Sequence, residues 1–135
     1  MILLLTAILI PMASGALLVS EHTMCKGVDR TIGGRYLPVD PCYEFTTDDI
    51  VYSYIVLGGV PKGDIIRWRW FDPTGTVRST AQITCNVYTA AFYTYCYLDL
   101  ATLGPDVRNL GKWHVDIYVN QDKVLTEEFT VKKSV

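Results

Sequence analysis

The chain has two histidines in 135 residues and no Cys-x-x-Cys pair, and its longest basic run is Lys132-Lys133. Each shortage excludes a class of chemistry. Zinc sites usually declare themselves by tight ligand pairs. Here the four cysteines stand 17, 43 and 11 residues apart, with only His22 and His114 to assist. His22, Met24 and Cys25 are residue types of blue-copper sites, but they crowd into four positions without a second histidine nearby. No ligand-rich loop of the EF-hand type surrounds Asp48-Asp49 or Asp99. Gly-x-Gly-x-x-Gly, Walker and Gly-x-Ser-x-Gly motifs are missing. Scattered basic residues and a formal net charge of −2 give no footprint for nucleic acid or an anionic membrane surface. Catalysis needs a nucleophile with its base, a carboxylate pair in a cleft, or a metal. The sequence assembles none of these, so the expectation is a non-enzyme without a cofactor.

Helical periodicity over two or more turns is also lacking, as are internal repeats and low-complexity tracts. What the chain does hold begins with an apolar run, Ile2 to Ile10, broken by Pro11 and followed by Ala13, Ser14, Gly15 and Ala16. This pattern reads as a signal peptide over 1–15, with cleavage after Gly15 or Ala16, leaving a domain over 16–135. No Lys or Arg precedes the run, and the competing reading is an uncleaved anchor reaching Val19, which would be the only route to a membrane. An even cysteine count in a short exported chain implies a disulfide framework. Of three connectivities, Cys25–Cys42 and Cys85–Cys96 bring together the nearest neighbours, each pair bracketing a turn. The localisation expected is secreted or cell surface.

The remainder is patterned in twos. In Ile65 to Gly75, Ile66, Trp68 and Trp70 face one way and Arg67 and Arg69 the other, before the turn Asp72-Pro73-Thr74-Gly75. Phe92, Thr94, Cys96, Leu98 and Leu100 alternate with Tyr93, Tyr95, Tyr97 and Asp99. Trp113, Val115, Ile117 and Val119 alternate with His114, Asp116 and Tyr118. Further strands are predicted over Leu17 to Cys25, Ile50 to Leu57, Thr76 to Val87 and Val124 to Val131, the last with a bulge around Glu127-Glu128. Lys26 to Asp40 reads as a loop. About seven strands with turns at this spacing give an all-β, antiparallel sandwich.

Two stretches carry a resemblance. A strand of the form Trp-x-Trp-Phe/Tyr-x-Pro-x-Gly is matched by Trp68 to Gly75. A hairpin of the form Gly-x-Trp-x-Val-x-Val/Ile-Tyr-x-Asn, then Phe-Thr-Val, is matched by Gly111 to Asn120 and Phe129 to Val131. In these the chain resembles the immunoglobulin-like β-sandwich modules of bacterial and archaeal secreted proteins. The resemblance implies a fold and no catalytic residues, because sandwich modules serve many purposes. Antibody-type domains differ, having a bridge from mid-strand cysteines that this chain lacks.

Two surfaces are candidates for recognition. Tyr93, Tyr95 and Tyr97, flanked by Tyr88, form a row of rings on which sugars stack or which protein partners bury. The alternative is that tyrosines simply cover a sheet's outer face. An arm of Leu17, Leu18 and Val19 either folds back as an edge strand or adds to a neighbour's sheet, building a filament. His114 beside Asp116 is a surface pair with no third group. The function expected is a non-catalytic binding or structural module at the cell surface. Its partner is a protein or a glycan, or another copy of itself.

Overall fold

The computed structural model describes residues 17–31 and 33–135. The leader predicted over 1–15 lies outside the described residues. Among the described residues nine strands form two packed sheets: β1 Leu18–Arg30, β2 Tyr36–Pro41, β3 Glu44–Thr46, β4 Ile50–Gly58, β5 Ile65–Phe71, β6 Val77–Thr84, β7 Ala91–Asp99, β8 Gly111–Val119 and β9 Asp122–Lys132. One sheet has the order β2-β1-β4-β7, the other β3-β9-β8-β5-β6. The all-β sandwich is as expected, with two strands more than the sequence suggested. All pairings are antiparallel except the short parallel one of β3 with β9.

The core is built by the alternations. Trp68, Trp70 and Trp113 are all but fully buried between the sheets, with Phe45, Ile55, Leu57, Ile66, Val115, Ile117 and Phe129. Phe129 meets Trp70 edge-on at 5.9 Å between centroids and stacks on Trp113 at 6.0 Å. Such aromatic pairs add to the burial of their area.

Three expectations need correcting. Lys26 to Asp40 is not a loop, because β1 runs on to Arg30 and turns at Gly33 and Gly34, both at positive φ, into β2. Pro38 and Pro41 are compatible with a strand here because proline is tolerated at a sheet edge, and β2 is an edge strand. No bulge falls at Glu127-Glu128; the register shift lies between Ile117 and Tyr118, opposite Leu125 and Lys123. Glu127 continues the inward alternation of Leu125 and Phe129 as a buried carboxylate, so a charge on the inner face looked like a slip in phase. The predicted bridges are not formed either: all four cysteines are free. Cys25 packs outside its sheet against Tyr54 and Val56, while Cys42 packs against the main core. Cys85 and Cys96 both border that core, and the thiols of Cys25 and Cys85 donate instead to the carbonyls of Gly27 and Val87, at 3.1 and 3.5 Å.

Candidate functional site

The tyrosine row belongs to a larger aromatic face. β1 pairs with β4 as far as Cys25, then leaves it and pairs with β2 from Cys25 to Arg30. The hairpin so formed leans over the outer face of its own sheet. Its Tyr36 meets Tyr95 edge-on at 5.0 Å, and the Tyr36 carbonyl accepts a hydrogen bond from the Tyr54 hydroxyl at 3.1 Å. Tyr52 lies 5.9 Å from Tyr95 and 5.4 Å from Tyr97. Burial under the hairpin pushes the Tyr54 hydroxyl up to about 12. β4 is thus covered on both faces, which is why Ile50 to Leu57 has little polar alternation.

Tyr93 and Tyr95 are half-buried, and Tyr97 is 56% exposed. The row is therefore part satellite core and part open surface. Tyr88 does not flank it. That residue is 86% exposed in the 85–90 connection, with the Lys62 ammonium 4.9 Å from its ring.

A groove runs beside β7. One end, of about 570 Å³, is lined by Tyr36, Ala81, Ile83, Tyr95, Cys96 and Tyr97. The other, about 810 Å³, carries Arg30 and Arg35 of the hairpin with Tyr93, Asn86 and Thr89, and no carboxylate among the described residues lines it. The Arg35 guanidinium stands 5.8 Å from the Tyr93 ring, a cation–π contact. Sequence reasoning missed both arginines because it took their segment for a loop.

The backbone of β7 decides what this groove can do. Among the described residues β7 pairs only with β4. Leu100 N–H donates to the Asp49 carbonyl, while Ala91 N–H goes to the Thr89 hydroxyl. Antiparallel partners alternate between hydrogen-bonded and non-bonded pairs. The even positions of β7 therefore bond to β4, and the N–H and C=O groups of Tyr93, Tyr95 and Tyr97 point to the free edge.

The arm folds at home. Leu18 and Val19 pair with Gly58 and Leu57 of the same chain, and Leu17 and Val19 pack against the core. His114 stacks on Phe71 at 4.5 Å and stands 3.9 Å from Asp116, which also accepts from the Thr126 hydroxyl at 2.7 Å. Asp116 faces outward as expected, yet its neighbours leave it 6% exposed.

A polar cluster that the sequence did not suggest lies between β1 and β9. The buried Glu127 carboxylate accepts from the Tyr43 hydroxyl at 3.0 Å and lies 3.0 Å from His22 Nδ1. That contact holds the His22 imidazole above its ordinary value, against the opposing effect of partial burial. A carboxylate-oriented histidine resembles half of a catalytic pair. The thiols nearby are poor nucleophiles, because burial pushes Cys25 and Cys42 up. The cluster is better read as a clasp between sheets. Because the folded-state value is raised, its stabilisation is complete below the unfolded value of about 6.5 and lost as pH rises through the folded one. The urea midpoint should accordingly fall above about pH 6.5, and His22→Gln should flatten that fall. A midpoint indifferent to pH in the unmodified protein would sink the clasp.

No protein-family model matches the chain, and no curated protein matches it in sequence. Solved structures resemble it in fold. An immunoglobulin-like protein from Pseudomonas aeruginosa superposes with a TM-score of 0.52 at 10% identity, over 89% of this chain and 99% of that one. The C-terminal domain of Wzt gives 0.55 at 9% identity, over 90% of this chain and 77% of that one. At such identities the likeness is one of fold alone. It agrees with the tryptophan strand and the closing hairpin: the chain is an immunoglobulin-like β-sandwich.

Proposed function

We propose that this domain is a non-catalytic interaction module, secreted or at the cell surface, whose working surface is the free edge of β7. The observation that carries this reading is the contrast between β7 and the other three edges. Edge strands invite pairing with other chains, and folds blunt them with prolines, charges, bulges or shortness. β2 contains Pro38 and Pro41, β3 has three residues, and β6 has Arg78 and a register shift opposite Trp70 and Phe71. β7 has nine residues, no proline, no register shift, and no charge before Asp99. A strand laid along it would find backbone partners at Tyr93, Tyr95 and Tyr97 and a groove for side chains. This is the geometry of strand addition.

A glycan is the second reading, favoured by Arg30 and Arg35 beside tyrosine rings in a groove without carboxylates. Photo-crosslinking separates the two. p-Benzoylphenylalanine at Tyr97 should capture protein in the producing cell, whereas the same group at Tyr118, on the outside of the other sheet, should not. Adducts at 97 that prove to be carbohydrate would move the reading to the glycan. Equal capture at both positions, or none at 97, would overturn the edge.

A further inference from the structure

Resting on that reading, we infer that the strand which adds to β7 is β7 of a second copy, antiparallel about a two-fold axis at Tyr95. A nine-residue strand overlaps itself fully only when its central residue lies on the axis, and Tyr95 is the centre of Ala91–Asp99. In that register Tyr95 faces Tyr95 of the other copy and Tyr93 faces Tyr97. These are the residues whose backbone groups are turned to the open edge. Each facing pair therefore exchanges both its N–H···O bonds, as a hydrogen-bonded antiparallel pair does. The two four-stranded sheets become one of eight strands, and the contact closes on itself, as an isologous interface must.

Charge supports the same register. The one charged residue of β7, Asp99, is on the same outer face as the tyrosines, being an even number of positions from them. It lands opposite Ala91 of the other copy, beside Tyr93. The Arg35 guanidinium sits over Tyr93, and Arg30 lines the same end of the groove. Neither arginine forms an ion pair within its own chain among the described residues. Two-fold pairing thus delivers a carboxylate to a basic end that has none, twice over. It also keeps like charges apart, because Asp99 never meets its own copy. A foreign strand would have to bring such a carboxylate itself; β7 already carries one at the right distance.

Cysteine crosslinking tests the register in the full chain, with linked peptides identified by mass spectrometry. Facing Cα atoms of a hydrogen-bonded pair are about 5.5 Å apart, within disulfide reach. Tyr95→Cys should oxidise to a covalent dimer through position 95 of both copies. Tyr93→Cys and Tyr97→Cys should each give none alone but a 93–97 link when mixed. Since Tyr97 is exposed, the 93–97 arm keeps a readout if Tyr95→Cys folds poorly. Asp99→Asn retains an oxygen to cap Ala101, and Arg35→Gln removes its partner charge. Each should weaken dimerisation on the order of tenfold, and the double variant no further than either single. Links in another register, additive losses, or a monomer by light scattering would overturn the inference. If the photo-crosslinker at 97 then captured a different protein, the edge would stand as a binding site and only its occupant would be wrong.

Discussion

Trp113→Ala should lower the free energy of unfolding by about 4 kcal/mol, the scale of large-to-small changes at buried aromatics. Trp113 is fully buried, stacks on Phe129 and has the Arg78 guanidinium 5.9 Å from its ring. Its indole N–H also donates to the Asn109 carbonyl at 2.8 Å, joining the short 3-10 helix Val107–Asn109 to the core. Truncation forfeits the transfer term, opens a cavity that the two sheets cannot close, and leaves that carbonyl without its partner. Domains of this size are stable by about 5–15 kcal/mol, so the variant should stand near the edge of folding. Trp113→Phe keeps most of the volume and should cost roughly half as much. Urea denaturation at neutral pH measures both; a loss under about 1 kcal/mol for the alanine variant would mean the stack contributes little.

The three tryptophans show how far the sequence could be read. Period-two alternation names their face without knowledge of any partner strand, because the pleat sets it locally. The same rule placed Tyr93, Tyr95 and Tyr97 together on the opposite side of β7. It could not show what covers them. That depends on β1 leaving β4 at Cys25 and carrying Tyr36 across the sheet, a long-range event with no periodic signature. The glycines and prolines that read as a loop belong instead to the turn and the edge strand of that hairpin. Glu127 illustrates a second limit: a lone carboxylate on an inner face breaks the pattern, and only its neighbours on β1 and Tyr43 show why it is tolerated. The cysteines illustrate a third. Count and spacing suggest a pairing, whereas bridging depends on which side of a sheet each side chain takes. The edge of β7 was legible as a strand but not as an edge, since strand order is a property of the whole fold.

Asp72→Ala is expected to cost about 3 kcal/mol, and Asp72→Asn to remove much of the protein's sensitivity to acid. Asp72 lies at the end of β5 with 2% of its surface exposed. One carboxylate oxygen accepts from Thr74 N–H at 2.8 Å, from the Thr74 hydroxyl at 2.6 Å and from Thr76 N–H at 3.1 Å. The other meets Arg78 at 3.1 Å, and Arg78 reaches on to the Asn109 side chain at 2.6 Å. The turn that reads Asp-Pro-Thr-Gly is thereby tied to the segment beneath Trp113. Burial alone would raise this carboxyl, but the hydrogen bonds from Thr74, Thr76 and Arg78 together outweigh it and hold the group below its ordinary value. A depressed folded-state value means the stabilisation is fully present above the unfolded value of about 3.9 and lost as pH falls through the folded one. Urea midpoints followed from neutral pH to about pH 3 should fall for the unmodified protein once pH passes below about 4. Asp72→Asn should begin lower and fall less. Removing the carboxylate also leaves Arg78, with 16% of its side chain exposed, without its counter-charge. Arg78→Met in the Asp72→Asn background should then recover part of the loss, because two uncharged partners avoid a buried unpaired charge. Parallel acid profiles for the unmodified protein and Asp72→Asn would place the acid-labile group elsewhere.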